Sequence, residues 1–167
     1  IYQCMQVNEQ EQKKEACVVV EAAKEKQQDA LTNGSSATKI LSVFIGNNGS
    51  VKNFDSVAAE RLSKNKNIDV LQLLPDGIIR FVYPLKGNEK IIGYNILRDT
   101  ARNKEAFKAI QKKELFFSGP FKLKQWGMAI IGLLPVFRNG KYWVFSVVIY
   151  KMNTLLKAAD IDQAGKN

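Results

Sequence analysis

Histidine is absent from all 167 residues. That removes the commonest general base and the commonest metal ligand together. Cysteine is nearly absent, with only Cys4 and Cys17 able to supply thiolates, so a zinc-type cluster is excluded. The two cysteines lie in a stretch that reads as helix, at a spacing that points them to different faces. Two free thiols are therefore expected, and a bridge between two copies of the chain is the open alternative. No glycine-rich phosphate loop and no Gly-x-Ser-x-Gly elbow occurs, and no histidine exists to activate a nucleophile. The acids are scattered in expected loops and helix caps, so the chain is not expected to be an enzyme. No apolar run reaches the roughly 18 residues that a membrane span requires. A start methionine and a signal peptide are also missing, and we read the chain as a piece of a longer protein.

What is present suits one domain with an appendage. Hydrophobic residues make up 46% of the chain, enough for a core, and charged residues 25%. The net charge of +9 is unevenly spread. Residues 1–34 carry four Lys against six acids, and the remainder carries 21 Lys/Arg against ten acids. A basic globular part fits nucleic acid, anionic headgroups or an anionic ligand, and equally a solvated basic surface. No nucleic-acid-binding motif stands out, so no nucleic-acid partner is expected. Lys112, Lys113, Lys122 and Lys124 form a basic cluster, read as a solvated face or an attractor of anions.

Residues 8–31 lack Pro and Gly and are rich in good helix formers. Ala16, Val20, Ala23, Gln27 and Ala30 recur at spacings of four and three, the seam of a helix packed on a partner. We expect a long N-terminal stalk helix, stopped at Thr32-Asn33-Gly34-Ser35-Ser36. A short helix is expected over 37–45. Another, over 54–63, is capped by Asn53 or Ser50 and turns Phe54, Val57, Ala58 and Leu62 to one side. Residues 68–74 and 78–85 read as a β-hairpin around Pro75-Asp76-Gly77. Asp99 or Thr100 starts a helix to Lys113, with Ala106, Phe107 and Ile110 inward. Three long strands then follow over 115–123, 128–137 and 142–152, with Asn139-Gly140 turning the last two. The chain reads as helical again from Asn153.

The resulting class is α+β, one antiparallel sheet of about five strands with flanking helices and a stalk. The expected division is a stalk at 1–36, a sheet-bearing domain at 37–152 and the start of a C-terminal helix at 153–167. A sheet with helical flaps on one face commonly holds a small ligand between the two.

Several segments together resemble the CHASE domain, the extracytoplasmic sensory module of histidine kinases and nucleotide cyclases. They are Ile68-Asp69-Val70-Leu71-Gln72-Leu73-Leu74-Pro75-Asp76-Gly77, Val82-Tyr83-Pro84-Leu85-Lys86-Gly87-Asn88-Glu89 and Ile92-Gly93-Tyr94-Asn95-Ile96-Leu97. Ser118-Gly119-Pro120-Phe121-Lys122-Leu123 and Leu134-Pro135-Val136-Phe137 follow, with the closing strand before Leu155-Leu156. The resemblance implies a PAS-like sheet on a stalk between two transmembrane helices, dimerisation through the stalk, a small-molecule ligand and no cofactor. In plant members the ligand is an adenine-type cytokinin. Their purine-binding Asp is replaced here by Asn95, which donates as well as accepts, so that binding mode is in doubt. A pocket Leu of those members falls on Phe117 and a Thr on Leu133, giving a bulkier, greasier pocket.

From the residues themselves, Tyr83 offers a ring and a hydroxyl, or simply a core tyrosine. Asn95 needs a polar partner, either ligand or a neighbouring backbone group. Adjacent Phe116 and Phe117 must face opposite sides of their strand, and Phe117 is our choice for the pocket. Trp126 either packs locally in its hairpin loop or covers the pocket. Tyr83, Asn95, Phe117 and Leu133 are thus the expected ligand-binding set, with an unidentified small molecule as partner and a homodimer through the N-terminal helix. A ligand-free dimerisation module is the alternative.

Overall fold

A computed structural model describes residues 51–64, 66, 68–123, 127–154 and 157. The expected stalk, the helix over 37–45, both cysteines, Lys124, Trp126 and most of the expected C-terminal helix lie outside the described residues. Helix α1 spans Phe54–Lys64 and strand β1 Val70–Pro75. Strand β2 is Phe81–Tyr83, and a 3-10 turn occupies Glu89–Ile91. Helix α2 is Asn103–Lys112, followed by β3 at Phe116–Leu123, β4 at Gly127–Arg138 and β5 at Lys141–Lys151.

All five strands form one antiparallel sheet in the order β2-β1-β5-β4-β3. Both tight turns follow from residues that tolerate positive φ. Asp76 and Gly77 have φ of 52° and 78°, and Asn139 and Gly140 have 50° and 74°. Two successive left-handed residues match the right-handed twist of the strands they join, which is why Asp-Gly and Asn-Gly occur there. Helix α2 ends on Lys113 at φ 55°, whose N–H bonds back to the carbonyls of Ala109 and Ile110.

Strand β2 is shorter than the expected return strand because its first residues pair elsewhere. Ile79 donates its N–H to Tyr94 O at 2.9 Å and accepts from Gly93 N at 2.8 Å, while Ile96 N reaches Gly77 O at 3.0 Å. An isolated bridge joins Ile78 and Asn95. The chain from 93 to 96 is thereby fastened across the hairpin entrance.

Alternation along the strands sorts the side chains into two cores. One face carries Leu71, Leu73, Ile130, Val144, Val148 and Tyr150, covered by Phe54 and Ala58 of α1. The Phe54 and Phe81 rings meet there at 5.6 Å. The other face carries Val70, Leu74, Val82, Leu133, Phe145, Val147 and Ile149, together with Ala106 and Ala109 of α2. Each buried Val, Leu, Ile or Phe side chain among these contributes about 1.5–3 kcal/mol relative to exposure.

The inward set expected for α2 needs one correction. Ala106 and Ala109 are fully buried and Ile110 is half-buried, but Phe107 is 51% exposed. A helix turns by 3.6 residues, so the stripe that holds 106, 109 and 110 carries 107 away from the sheet. Small alanines allow α2 to lie close over β3 and β4.

Candidate functional site

The site candidate is the sheet face beneath α2 and the connecting segment 84–102. Its floor is set by register. Val82, Gln72, Val147, Leu133 and Phe116 form one row across all five strands. Val70, Ile149, Ile131 and Ser118 form a second, and Leu74, Phe145 and Pro135 a third. Above them lie Ile91, Ile96 and Leu97 from the connecting segment and Ala106, Ala109 and Ile110 from α2.

The roof is held by local polar contacts. Asn88 is buried, and its Nδ2 donates to Pro84 O at 2.6 Å. Asn95 Oδ1 accepts the Leu97 N–H at 2.9 Å, and Asn103 Nδ2 donates to Leu97 O at 3.3 Å. Asp99 Oδ1 accepts from Ala101 N at 2.9 Å, and the Tyr94 hydroxyl donates to the same carboxyl group. The backbone O of Asp99 accepts from Arg102 and Asn103, so Asp99 turns the chain into α2 while the helix itself starts at Asn103. Leu97 also rests on the first hairpin: a Cβ on Gly77 would lie 2.7 Å from its Cγ and Cδ1.

Polar groups on the floor are few. Gln72 is 4% exposed and Ser118 5%. Tyr142 stands at the far margin, its hydroxyl 3.4 Å from Leu74 O. Burial pushes its phenol well above the ordinary range, against smaller opposing bonds from the Gly77 and Phe145 backbone. Cations lie over rings of this face, Arg102 over Phe121 at 5.2 Å, Lys112 over Phe116 at 5.9 Å and Lys113 over Phe137 at 5.5 Å. Among the described residues no group of three or more acids or thiols could hold a metal ion. Nor is any helix among them long and apolar enough to cross a membrane.

The four residues chosen from the sequence do not share one space. Leu133 is in the floor, 6% exposed, and Asn95 is in the roof with its oxygen bound to backbone. Tyr83 pairs with Leu71 and packs in the core under α1. Phe117 pairs with Gly132 on that same α1 side, its ring 6.3 Å from that of Tyr150. The expectation of a single pocket for all four is corrected by this parity. Phe116, not Phe117, reaches the floor below α2, since neighbours on a strand alternate. Gly132 is what draws Phe117 the other way, because the ring occupies the space its missing Cβ leaves. Gln72 and Ser118 escaped the sequence reading. The signal for Gln72 was there, as the single polar residue inside Val70-Leu71-Gln72-Leu73-Leu74.

Comparison with known proteins agrees with this architecture. The chain is similar in fold to an extracellular ligand binding receptor from Desulfohalobium retbaense, with TM-score 0.61 and 13% identity over 91% of this chain and 27% of that one. It is similar to the ligand-binding domain of a Pseudomonas aeruginosa amino acid chemoreceptor in complex with GABA, with TM-score 0.52 and 13% identity over 85% and 60% of the two chains. The sensory domain of a Campylobacter jejuni chemoreceptor matches with TM-score 0.52 and 14% identity, over 85% and 61%. The chain thus spans between 27% and 61% of the length of these structures. Among curated proteins none matches it. The model of the CHASE domain matches residues 58–166. With that match over most of the chain, and a five-stranded antiparallel sheet of the sensory-domain type, this chain belongs to the CHASE domain family of sensory modules.

Proposed function

We propose that the chain is the extracytoplasmic ligand-sensing domain of a membrane-anchored signalling receptor, of the histidine kinase or diguanylate cyclase type. A small molecule sits between the sheet and the roof formed by residues 84–112. The observation that carries this reading is that roof. A single segment between β2 and β3 covers one sheet face, bonded to the first hairpin through the backbone of residues 93–96 and laid over β3 and β4 through α2. Such a cover can shift relative to the floor without dissolving the sheet. Binding then favours one arrangement of the cover, and a ligand can bias the balance only by its differential affinity for the two states.

The sheet also offers a route outward. Asp69, just before β1, accepts the Lys151 N–H at 2.7 Å and the Thr154 hydroxyl at 3.0 Å. The start of β1 and the outgoing end of β5 are thereby tied at one end of the sheet. Catalysis, in this reading, belongs to an output domain and not to this one. Dimerisation through the helix expected over residues 8–31 is part of the same proposal. A strict monomer in light scattering on the whole chain overturns that part.

The structural relatives include one holding GABA, which makes small polar metabolites a reasonable first panel. A thermal-shift screen with purines, amino acids and carboxylates tests the sensor reading. We expect at least one class to raise Tm. If none does, and labelled backbone amides of the floor and roof stay unmoved throughout, the reading fails.

A further inference from the structure

We propose that the end of the sheet through which the chain leaves β5 rests on an anionic lipid surface. This relies on the membrane-anchored reading above and adds a direct contact between the domain and that membrane. Register fixes which residues share the end. Val70 at the start of β1 pairs with Ile149, and Asp69 holds Lys151 and Thr154. Tyr83 pairs with Leu71, so Leu85 and Lys86 emerge beyond β2 at the same end. Lys122 pairs with Met128, next to the Ala129–Lys151 pair. Lys66 precedes Asp69 by three residues, and Lys157 follows Thr154 by three. Lys66, Lys86, Lys90, Lys122 and Lys157 are all exposed. The acids nearby are mostly engaged. Asp69 accepts from Lys151 and Thr154, Asp99 accepts from Tyr94, and Glu60 of α1 pairs with Lys64 at 2.7 Å, while Glu89 is exposed.

Leu85 is 51% exposed beside Lys86, in a turn that is tightly held. The Asn88 N–H donates to Leu85 O at 2.8 Å, its buried side-chain Nδ2 donates to Pro84 O at 2.6 Å, and Gly87 takes a φ of 85°. An apolar side chain thus stands fixed in water among lysines. Spacing and residue type choose the occupant. Lys86 lies beyond β2 and Lys122 on β3, at opposite margins of the sheet, about 19 Å apart. No single phosphate spans them, and a layer of headgroups does. The exposed cations just named are lysines, which protein interfaces deplete in favour of arginine. At a lipid surface the lysine stem lies along apolar chains while its charge reaches the headgroups. A second copy of the chain would set like charge against like.

The test is co-sedimentation of the whole chain with vesicles of phosphatidylcholine alone, or with about one-third phosphatidylglycerol. Salt is held near 150 mM, where charges more than about 8 Å apart are largely screened. Binding is expected to the mixed vesicles only, and to weaken as salt rises. Lys86→Glu with Lys122→Glu is expected to weaken it at least tenfold, since one lysine at such a surface is worth about fivefold. Leu85→Ser is expected to weaken it about three- to fivefold with the salt dependence unchanged. Lys108→Glu with Lys141→Glu makes the same charge change on the outer face of α2 and at the β4–β5 turn, and is expected to stay within about twofold of the parent. All these side chains are exposed, so the variants are expected to melt as the parent does. No binding to the mixed vesicles overturns the proposal. Equal loss in the two double variants also overturns it, because diffuse charge alone then explains the binding. Capture of a polyglutamate peptide through Lys86 and Lys122 without vesicle binding makes an acidic protein the occupant, and overturns it too. A ligand found by thermal shift without vesicle binding sinks this contact and leaves the sensor reading standing. Vesicle binding with no ligand of any class does the reverse.

Discussion

Replacing Gly132 by alanine tests the register that separates the two faces. An added Cβ would lie 2.7 Å from Val148 Cγ2 and 3.0 Å from Phe117 Cε1. Carbon pairs are comfortable at about 3.5–4.0 Å, so each neighbour must retreat by roughly 0.5–1 Å. Val148 is β-branched, stiff at χ1 and buried, so it gives little. Inserted methyl groups in packed cores cost about 1–3 kcal/mol, and two tight contacts put Gly132→Ala in the upper half of that range. For a chain of this size the Tm falls by about 4–12 °C. Phe117→Leu withdraws one obstructing ring and by itself costs about 1 kcal/mol, since Phe117 is only half-buried. The double variant is then expected to be more stable than the sum of the two losses by about 1 kcal/mol. Urea unfolding followed by circular dichroism measures all four corners of the cycle. Strict additivity, or a Gly132→Ala variant within about 0.5 kcal/mol of the parent, would show that Phe117 does not lie over Gly132. A slip of one residue in β3 would then put Phe117 beside Leu133 after all.

Gly77→Ala meets both a positive φ of 78° and Leu97 at 2.7 Å, and is expected to cost about 2–3 kcal/mol and to loosen the roof. Faster amide exchange at 93–97 than in the parent checks the second effect, and an unchanged exchange pattern refutes it. Asp69→Ala removes the carboxylate that accepts from Lys151 and Thr154. A loss of about 1.5–3 kcal/mol is expected, with exchange at 151–154 quickened and β3 left alone; uniform quickening across the sheet counts against a local tie. Tyr142 and Tyr150 both have phenols pushed up by burial. A folded pKa above the unfolded value of about 10 means that their contribution is complete below pH 10 and is lost as pH rises beyond it. The urea midpoint should therefore hold to about pH 9–10 and then drop, less steeply in Tyr150→Phe; an equally steep drop in that variant refutes the assignment.

Much of the framework was legible in the residues themselves. The last three strands could be read from their apolar length and β-branching, and the turns from Pro75-Asp76-Gly77 and Asn139-Gly140, because φ above zero leaves few residue choices. The α1 stripe of Phe54, Val57, Ala58 and Leu62 was equally plain, since helical period and burial agree. Phe107 was misjudged because amphipathicity specifies a stripe only once a partner is present. In α2 the buried positions went to Ala106 and Ala109, which let the helix approach β3 and β4.

The sequence alone determined that Phe116 and Phe117 point apart, because a strand alternates whatever it pairs with. Which of them meets the roof was decided only in the tertiary structure. That depends on Phe117 standing opposite Gly132, and on β5 lying between β1 and β4. Neither relation is local, and each links residues far apart along the chain, where no periodicity reports on register. The same holds for Gln72. Its polarity in an apolar strand was visible from the start, but its setting came from Val82 on one side and Val147, 75 positions on, at the other.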